Sequence, residues 1–410
     1  MIPEILNSAA EVFSALWWII LPLALFFVFR DIWLKYVRGE YLKSVKWITL
    51  EVKVSRNILK TPKAMEQIFS AVHATYSFGI KPFDKWWKGK MEDWTSFEMV
   101  GHSGGVYFFI RTDAKYRNLV ESAVYSQYPD AEIREAEDYV DLFPSVLPNQ
   151  TYDIWGCDFI LARESAYPIR TYPYFEATVE EQRLDPVAAL TEVMSKLKEG
   201  ETIWLQILIR PTGDAWKKEG EGVIDKLIGK KPAAKTTFLS EVGEFVKNLL
   251  IAPFEEPTWG AKSESAAVAP VLTPGGKDII KEVENKISKI GFETNIRFVY
   301  IDRKDSFTRS NIAAIMGAFR QFNTQNLNAF RPAAETITVA RHPFKKRKEY
   351  LRKRFLYWAY RVRYMPAKLP VLNIEELATI YHYPTMYVEA PMLRHVESKK
   401  GGAPVNLPIE

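Results

Sequence analysis

The stretch Glu201-Thr-Ile-Trp-Leu-Gln-Ile-Leu-Ile-Arg210 reads as a β-strand more clearly than any other in the chain. β-Branched and aromatic residues fill it, no glycine or proline interrupts it, and Gly200 and Pro211 bound it. Upstream, Asp185 followed by Pro186 marks the start of a helix that runs to about Lys198. Before it, Tyr152–Leu161 and Thr171–Thr178 read as strands around a turn. Downstream, Phe292–Ile301 is a strand of the same kind, and Ser306–Phe322 is a helix with Ile312, Ile315, Met316 and Phe319 on one side. The run Pro211–Ile290 interrupts this pattern. It holds Lys217-Lys218, Lys230-Lys231, an amphipathic segment Phe238–Leu250, and a linker at 255–276 rich in Pro, Ala, Ser and Gly that reads as flexible. The apolar face of Phe238–Leu250 suits docking on the domain, or contact with a membrane surface or partner.

The N-terminal half carries a cleaner copy of the same order. Lys46–Val54 alternates as a strand, and Thr61-Pro62 opens a helix to about Tyr76 with Met65, Ile68, Phe69 and Val72 on one face. Gly79–Asp93 is a loop with exposed Trp86 and Trp87. Thr95–Val100 and Gly105–Thr112 are strands around a Gly-His-Ser-Gly-Gly turn at 101–105, Asp113 caps a helix to about Tyr128, and Glu132–Glu135 is a short strand. The N-terminal half thus reads β-α-β-β-α-β, and the C-terminal half reads as a second, less clean copy of that pattern. The expected fold class is α+β: one N-terminal transmembrane helix, two tandem ferredoxin-like (split βαβ) units and a C-terminal helical segment.

The transmembrane expectation rests on Val12–Phe29, 18 residues without a charge. At ~1.5 Å per helical residue such a run spans about 27 Å, close to a bilayer's hydrocarbon core. The residues before it carry Glu4 and Glu11 and no Lys or Arg, and no small-residue cleavage site follows it, so it reads as an anchor and not a signal peptide. Trp17, Trp18, Pro22, Phe26, Phe27 and Arg30 are the expected anchor residues, with Trp33 and Tyr36 near the interfaces. Arg30, Lys35, Arg38, Lys43 and Lys46 follow the run, and the positive-inside rule then places a single-pass protein in the inner (plasma) membrane with its C-terminal body in the cytoplasm.

Composition narrows the chemistry. The chain has 410 residues, 47% of them apolar, and a net charge of +5. Cys157 is its one cysteine, which excludes an internal disulfide and any multi-cysteine metal site. His73, His102, His342, His382 and His395 are scattered, with no metal-ligand spacing. Ser103 is flanked by Gly101 and Gly105 at the spacing of a nucleophile elbow, but between two strands, which makes the segment a hairpin turn. The acid pairs Glu180-Glu181 and Glu255-Glu256 have no matching base or metal constellation, and neither a Walker phosphate cradle nor a strand-linked GxGxxG is present. The expectation is a non-enzyme with no catalytic, cofactor or metal residues and no cofactor.

The strongest charge concentration is Arg341–Arg363, with ten Lys/Arg and one acid interleaved with aromatics. Lys345, Lys346, Arg347, Lys348, Arg352, Lys353 and Arg354 are candidate contacts for an anionic partner. Three readings stand side by side: a solvated helix whose Tyr350, Phe355, Tyr357, Trp358 and Tyr360 pack inward, a phosphate, nucleic-acid or anionic-lipid contact, and a protein contact.

Leu372–Pro384 reads Leu-Asn-Ile-Glu-Glu-Leu-Ala-Thr-Ile-Tyr-His-Tyr-Pro, in which Asn373 is an N-cap and Glu376 completes a box-like start. This segment resembles an element that precedes the motor domain in membrane-associated ATPases of the HerA/FtsK-like, type IV secretion and conjugation kind, and Ser398–Pro408 resembles the connector into their nucleotide-binding core. The motor itself is missing, so ATP hydrolysis does not carry over, and His382 is expected to pack the element. The resemblance implies a bacterial, non-enzymatic, membrane-anchored scaffold for a P-loop ATPase in a secretion or DNA-transfer assembly. The alternative is a membrane-tethered nucleic-acid-binding protein that uses 341–363. Expected partners are the lipid bilayer, an ATPase in trans or further copies of the chain, and nucleic acid or anionic lipid. The expected organisation is a tail (1–11), a transmembrane helix and flank (12–37), a first unit (45–140), a second unit (150–340) with an insertion at 211–290, a basic helix with the C-terminal element (341–397), and a tail (398–410).

Overall fold

The computed structural model describes residues 2–55, 60–175, 184–229 and 273–385, and for 2–16 and 19–20 it describes the backbone alone. The expected helix Phe238–Leu250, most of the linker at 255–276, both acid pairs and the tail at 398–410 lie outside the described residues.

Nine strands form one sheet: β1 (Trp47–Lys53), β2 (Thr95–His102), β3 (Gly105–Asp113), β4 (Glu132–Glu135), β5 (Tyr152–Leu161), β6 (Thr202–Pro211), β7 (Gly291–Arg303), β8 (Phe330–Pro332) and β9 (Val371–Asn373). All pairings are antiparallel, in the order β4-β1-β3-β2-β6-β7-β5-β8, and β9 pairs with β7 beyond the end of β5. β6 therefore lies near the centre, between β2 and β7. Every residue of β6 except Arg210 is buried, so both faces are covered. That double coverage is why its sequence is a continuous apolar run and not an alternation.

On one face lie α2 (Lys63–Val72), α4 (Arg117–Gln127), α5 (Ala188–Ser195), α8 (Arg309–Arg320) and α10 (Ile374–Ile380). Met65 and Phe69 of α2, Val124 of α4, Met194 of α5, Ile315 and Phe319 of α8, and Leu377 of α10 share one core with Phe97, Ile110, Ile207 and Phe298 of the sheet. The opposite face carries α9 (Lys345–Arg361) and a 3-10 turn at Tyr139–Leu142, packed over Val100, Phe109, Trp204 and Val299. The described parts of the expected insertion form α6 (Ala215–Leu227) and α7 (Pro274–Ile287), which bury Trp216, Val223, Val283 and Ile287 against each other.

Two expectations are corrected. The chain does not divide into two tandem ferredoxin-like units. β2 pairs with β6 from Thr95↔Ile209 to His102↔Thr202, and the main core draws on both halves of the chain. The physical reason lies in β2 and β6 themselves: all of β2 except His102 and all of β6 except Arg210 is buried, and the buried Gln206 donates to Glu98 across the pair at 2.9 Å. Outward from this seam the strand order is mirrored, β2-β3-β1-β4 one way and β6-β7-β5-β8 the other. The expected strand at Thr171–Thr178 is instead a 3-10 turn over Tyr172–Tyr174 as far as it is described.

The membrane-spanning helix is corrected as well. Among the described residues, no helix is long and apolar enough to cross a membrane. The apolar run belongs to the 43-residue helix α1 (Ile2–Ser44), whose second half carries Arg30, Asp31, Lys35, Arg38, Glu40 and Lys43. Trp17, Trp18, Pro22, Phe26 and Phe27, expected as anchor residues, are exposed along α1, and Arg30 bonds Asp31 at 2.9 Å and lies 5.1 Å from the Phe27 ring centroid. The last turns of α1 rest on the body, where Val37 is buried.

Candidate anionic-partner interface

The basic segment forms α9. Its first turn holds Lys345, Lys346, Arg347 and Lys348, with no acid and no capping side chain. Four cations at the positive end of a helix dipole disfavour the helix. Tertiary contacts therefore hold α9 in place. Leu356, Tyr357 and Tyr360 are its buried anchors, each worth about 1.5–3 kcal/mol by burial alone. Gly156 on β5 makes the approach possible: a Cβ there would come 2.7 Å from a Leu356 methyl and 2.2 Å from the Phe298 carbonyl oxygen.

The seven candidate cations separate by environment. Arg352 donates to the carbonyls of Ile337 (3.1 Å) and Val339 (2.7 Å), and Lys353 donates to Asp153 at 2.7 Å, so both are structural. Lys345, Lys346, Arg347, Lys348 and Arg354 are exposed. Tyr357 and Tyr360 pack inward as expected of a solvated helix, but Tyr350, Phe355 and Trp358 do not: they face solvent. Leu351, Phe355, Trp358 and Val362 recur at helical spacing and form an exposed apolar stripe. Phe355, Trp358 and Tyr364 extend it into a ring cluster with centroids 5.5–6.2 Å apart. The outer face of α9 is thus an aromatic ridge flanked by five exposed cations, of which Lys345 lies 4.0 Å from Glu349 and Arg354 donates to the Tyr350 hydroxyl at 3.2 Å.

Beneath α9 the sheet holds a polar row that composition and spacing do not reveal. Asp158, Arg297, Gln206 and Glu98 stand directly opposite one another across β5, β7, β6 and β2. Arg297 donates to Asp158 at 2.7 Å, to Gln206 at 3.3 Å and to the Ala359 carbonyl of α9 at 2.8 Å. Glu98 accepts from Ser96 (2.6 Å), Tyr139 (2.7 Å), Gln206 (2.9 Å) and the Nε and Nη2 of Arg363 (both 3.0 Å). Arg363 also binds Asp138, which in turn bonds Arg111. Gln206 stands out as a polar residue inside the apolar run of β6, but β2, β5 and β7 each hold several polar residues and do not single theirs out. Strand register was needed to put the four in line.

Burial alone would raise the Glu98 carboxyl, but the Arg363 charge and its hydrogen bonds outweigh that and hold it at about 2, against an ordinary 4.5. Asp185 is also held at about 2 from an ordinary 3.8, where burial is outweighed by His382 at 2.9 Å. A carboxylate with a depressed value in the fold stabilises it above its unfolded value and loses that contribution as the pH falls toward the folded one. Urea unfolding is therefore expected to show stability falling between about pH 4.5 and pH 2. A Glu98→Gln chain should show a shallower acid limb.

The C-terminal element is built into the core. Asn373 accepts from Glu376 N at 2.8 Å and Glu376 accepts from Asn373 N at 3.0 Å, the reciprocal cap of α10. Glu376 also pairs with Lys286 of α7 at 2.9 Å, with both side chains fully buried. His382 is buried, with Nδ1 2.8 Å from the Ala378 carbonyl and Nε2 on Asp185. Among the described residues no three His, Cys, Asp or Glu side chains group as a metal site. The Gly101–Gly105 turn joins β2 to β3 directly.

Residues 38–393 match the family described as "Domain of unknown function (DUF8128)". The chain belongs to this family. The match begins at Arg38, past the apolar run of α1, and takes in the whole sheet, α9 and the C-terminal element. No curated protein matches the chain.

Proposed function

We propose that this protein is a non-enzymatic scaffold that docks a protein partner, a P-loop ATPase supplied as a separate chain, on the outer face of α9 within a secretion or DNA-transfer assembly. The observation that carries this reading is the exposed stripe Leu351–Phe355–Trp358–Val362, held on a helix whose inner side is fixed by Arg352, Lys353, Arg361 and Arg363. A rigid aromatic ridge is the usual centre of a protein interface. A docking role also suits the buried ion pairs, which are spent on holding the fold: Glu98 has four protein partners and Glu376 three. The kind of assembly rests on the resemblance of Leu372–Pro384. A photo-crosslinking residue at Trp358 in the full chain is expected to give one discrete adduct whose partner peptides carry a P-loop. Leu351→Ser with Phe355→Ser should weaken that partner roughly thirtyfold or more, the effect of losing a central aromatic contact. Absence of any protein adduct would remove this reading.

The five exposed cations favour a second reading, nucleic-acid binding. They bound its salt dependence: log affinity against log salt cannot fall more steeply than about −4 to −5, because each phosphate neutralised contributes about −0.9. Reversing Lys346, Arg347 and Lys348 should flatten the slope by about three contacts' worth, and salt-independent or absent binding would dismiss this reading.

A further inference from the structure

A second surface lies where α3 (Pro82–Trp87) leans on α1. The segment Lys81-Pro-Phe-Asp-Lys-Trp-Trp-Lys-Gly-Lys90 carries four lysines, two tryptophans and a phenylalanine, and all seven side chains are exposed. Asp84 is its one acid and is spent on Lys88 at 2.8 Å. These aromatics are not what attaches the segment. Its backbone does that: the Trp33 indole of α1 donates to the Trp86 carbonyl at 2.8 Å, and Gly89, at φ +64°, closes on the Val37 carbonyl, where any Cβ would come within 2.2 Å. Trp87 stands edge-on to Trp33 at 5.8 Å between centroids, and Tyr36 is exposed beside it. The fold therefore fixes Phe83, Trp86 and Trp87 in position and leaves all three exposed, with the Lys88 ammonium 5.7 Å from the Phe83 ring centroid.

We propose that this α1–α3 elbow seats on an anionic bilayer surface, with Phe83, Trp86 and Trp87 at headgroup depth and Lys81, Lys85 and Lys90 on lipid phosphates. Indole rings beside ammonium groups, with no aliphatic side chain among them, match the composition of a membrane–water interface. A protein interface is the poorer match, because lysine is depleted there while aromatics are enriched. The charge is complementary to an anionic leaflet and is left unneutralised within the segment. Lys81, Lys85 and Lys90 have no acid within ion-pair distance among the described residues. Such a surface contact requires no membrane-crossing helix. It shares no residue with α9, so it stands or falls independently of the scaffold reading.

Cys157 is fully buried, so a thiol introduced as Phe83→Cys in the full chain takes an environment-sensitive fluorophore selectively. With vesicles of phosphatidylcholine and phosphatidylglycerol in equal parts, the label is expected to shift to the blue, lose access to aqueous iodide and become quenched by headgroup nitroxides. Vesicles of phosphatidylcholine alone should need far more lipid, and added salt should weaken the effect. Lys81→Glu, Lys85→Glu and Lys90→Glu together should raise the lipid concentration for half the shift roughly a hundredfold or more. An unchanged thermal melt should accompany this, because these side chains are exposed. Because the label reports locally, binding by any other part of the chain does not mimic the result. Continued iodide access with anionic vesicles would overturn the proposal, as would an equal response to zwitterionic vesicles, an unchanged response in the triple variant, or a shift produced by duplex DNA and not by vesicles.

Discussion

Arg363→Met is expected to cost about 3–5 kcal/mol in equilibrium urea unfolding, with the sheet intact in the fraction that remains folded. The guanidinium is almost wholly buried, and it closes both oxygens of Glu98 as well as both oxygens of Asp138. Methionine fills much of the same space but leaves the Glu98 carboxylate with only the neutral donors Ser96, Tyr139 and Gln206. Most of the loss is therefore the uncompensated charge, and the pair itself contributes the smaller part. That has two consequences. The difference between variant and wild type should shrink as the pH falls from above the ordinary 4.5 toward about 2, because burial makes the orphaned Glu98 of the variant take up its proton at a higher pH than the paired carboxylate of the wild type. Glu98→Gln added to Arg363→Met should recover part of the stability, since the double variant has no buried charge at that point. If the single and double variants unfold at the same urea concentration, the orphaned-charge account is wrong.

What the sequence disclosed follows from which signals are local. β6 was legible because a strand covered on both faces is apolar at most positions, here broken only by Thr202, Gln206 and Arg210, and β5 because Tyr152–Leu161 carries enough β-formers between turns. The cap of α10 was legible because Asn373 and Glu376 satisfy each other three residues apart. Pairing was not legible. Nothing in Thr95–His102 or Thr202–Pro211 names the other as its neighbour, so the seam that turns two halves into one sheet stayed hidden, and with it the row from Asp158 to Glu98. The direction of α9 was hidden for a different reason. Its inner set, Leu356, Tyr357 and Tyr360, and its outer set, Leu351, Phe355 and Trp358, are equally aromatic and interleaved on one helix, so periodicity could not say which set the sheet would take. Position on the sheet decided it, through Gly156, whose missing side chain admits Leu356. Charge was ambiguous in the same way. Arg352 and Lys353 are chemically the same as Arg354 and Lys348, and only the carbonyls of Ile337 and Val339 and the carboxylate of Asp153 make the first two structural. The exposed Trp86 and Trp87 were readable from composition alone; that the α3 backbone is pinned to Trp33 and Val37 was not.

Glu376→Ala should be the more damaging half of an asymmetric pair. Glu376 and Lys286 are both fully buried, yet they are not equally supported. Glu376 accepts backbone N–H bonds from Ile169 at 2.9 Å and Asn373 at 3.0 Å in addition to the ammonium, whereas Lys286 has only the Tyr167 carbonyl at 3.3 Å besides its carboxylate. Lys286→Met leaves a buried carboxylate without its counter-charge but with two backbone donors, and a loss of about 3 kcal/mol, the low end for a broken buried pair, is expected. Glu376→Ala strips the ammonium of its counter-charge, removes half of the α10 cap and frees the Ile169 amide, which together should cost about 4–5 kcal/mol. The pH dependence separates the two as well. Burial already holds the Lys286 ammonium below its ordinary 10.5, with Glu376 pulling the other way. Without Glu376 the folded state prefers a neutral lysine while the unfolded chain keeps the proton, so the stability of Glu376→Ala should rise with pH toward that ordinary value. Lys286→Met has no such group and should be flat over the same range. Hydrogen exchange gives the local reading: the amides of Ile169 and of Tyr172, which is tied to Thr379 at 2.9 Å, should lose protection in Glu376→Ala before the central strand β6 does. Equal losses and parallel pH profiles for the two variants would mean that the backbone donors around Glu376 carry none of the difference.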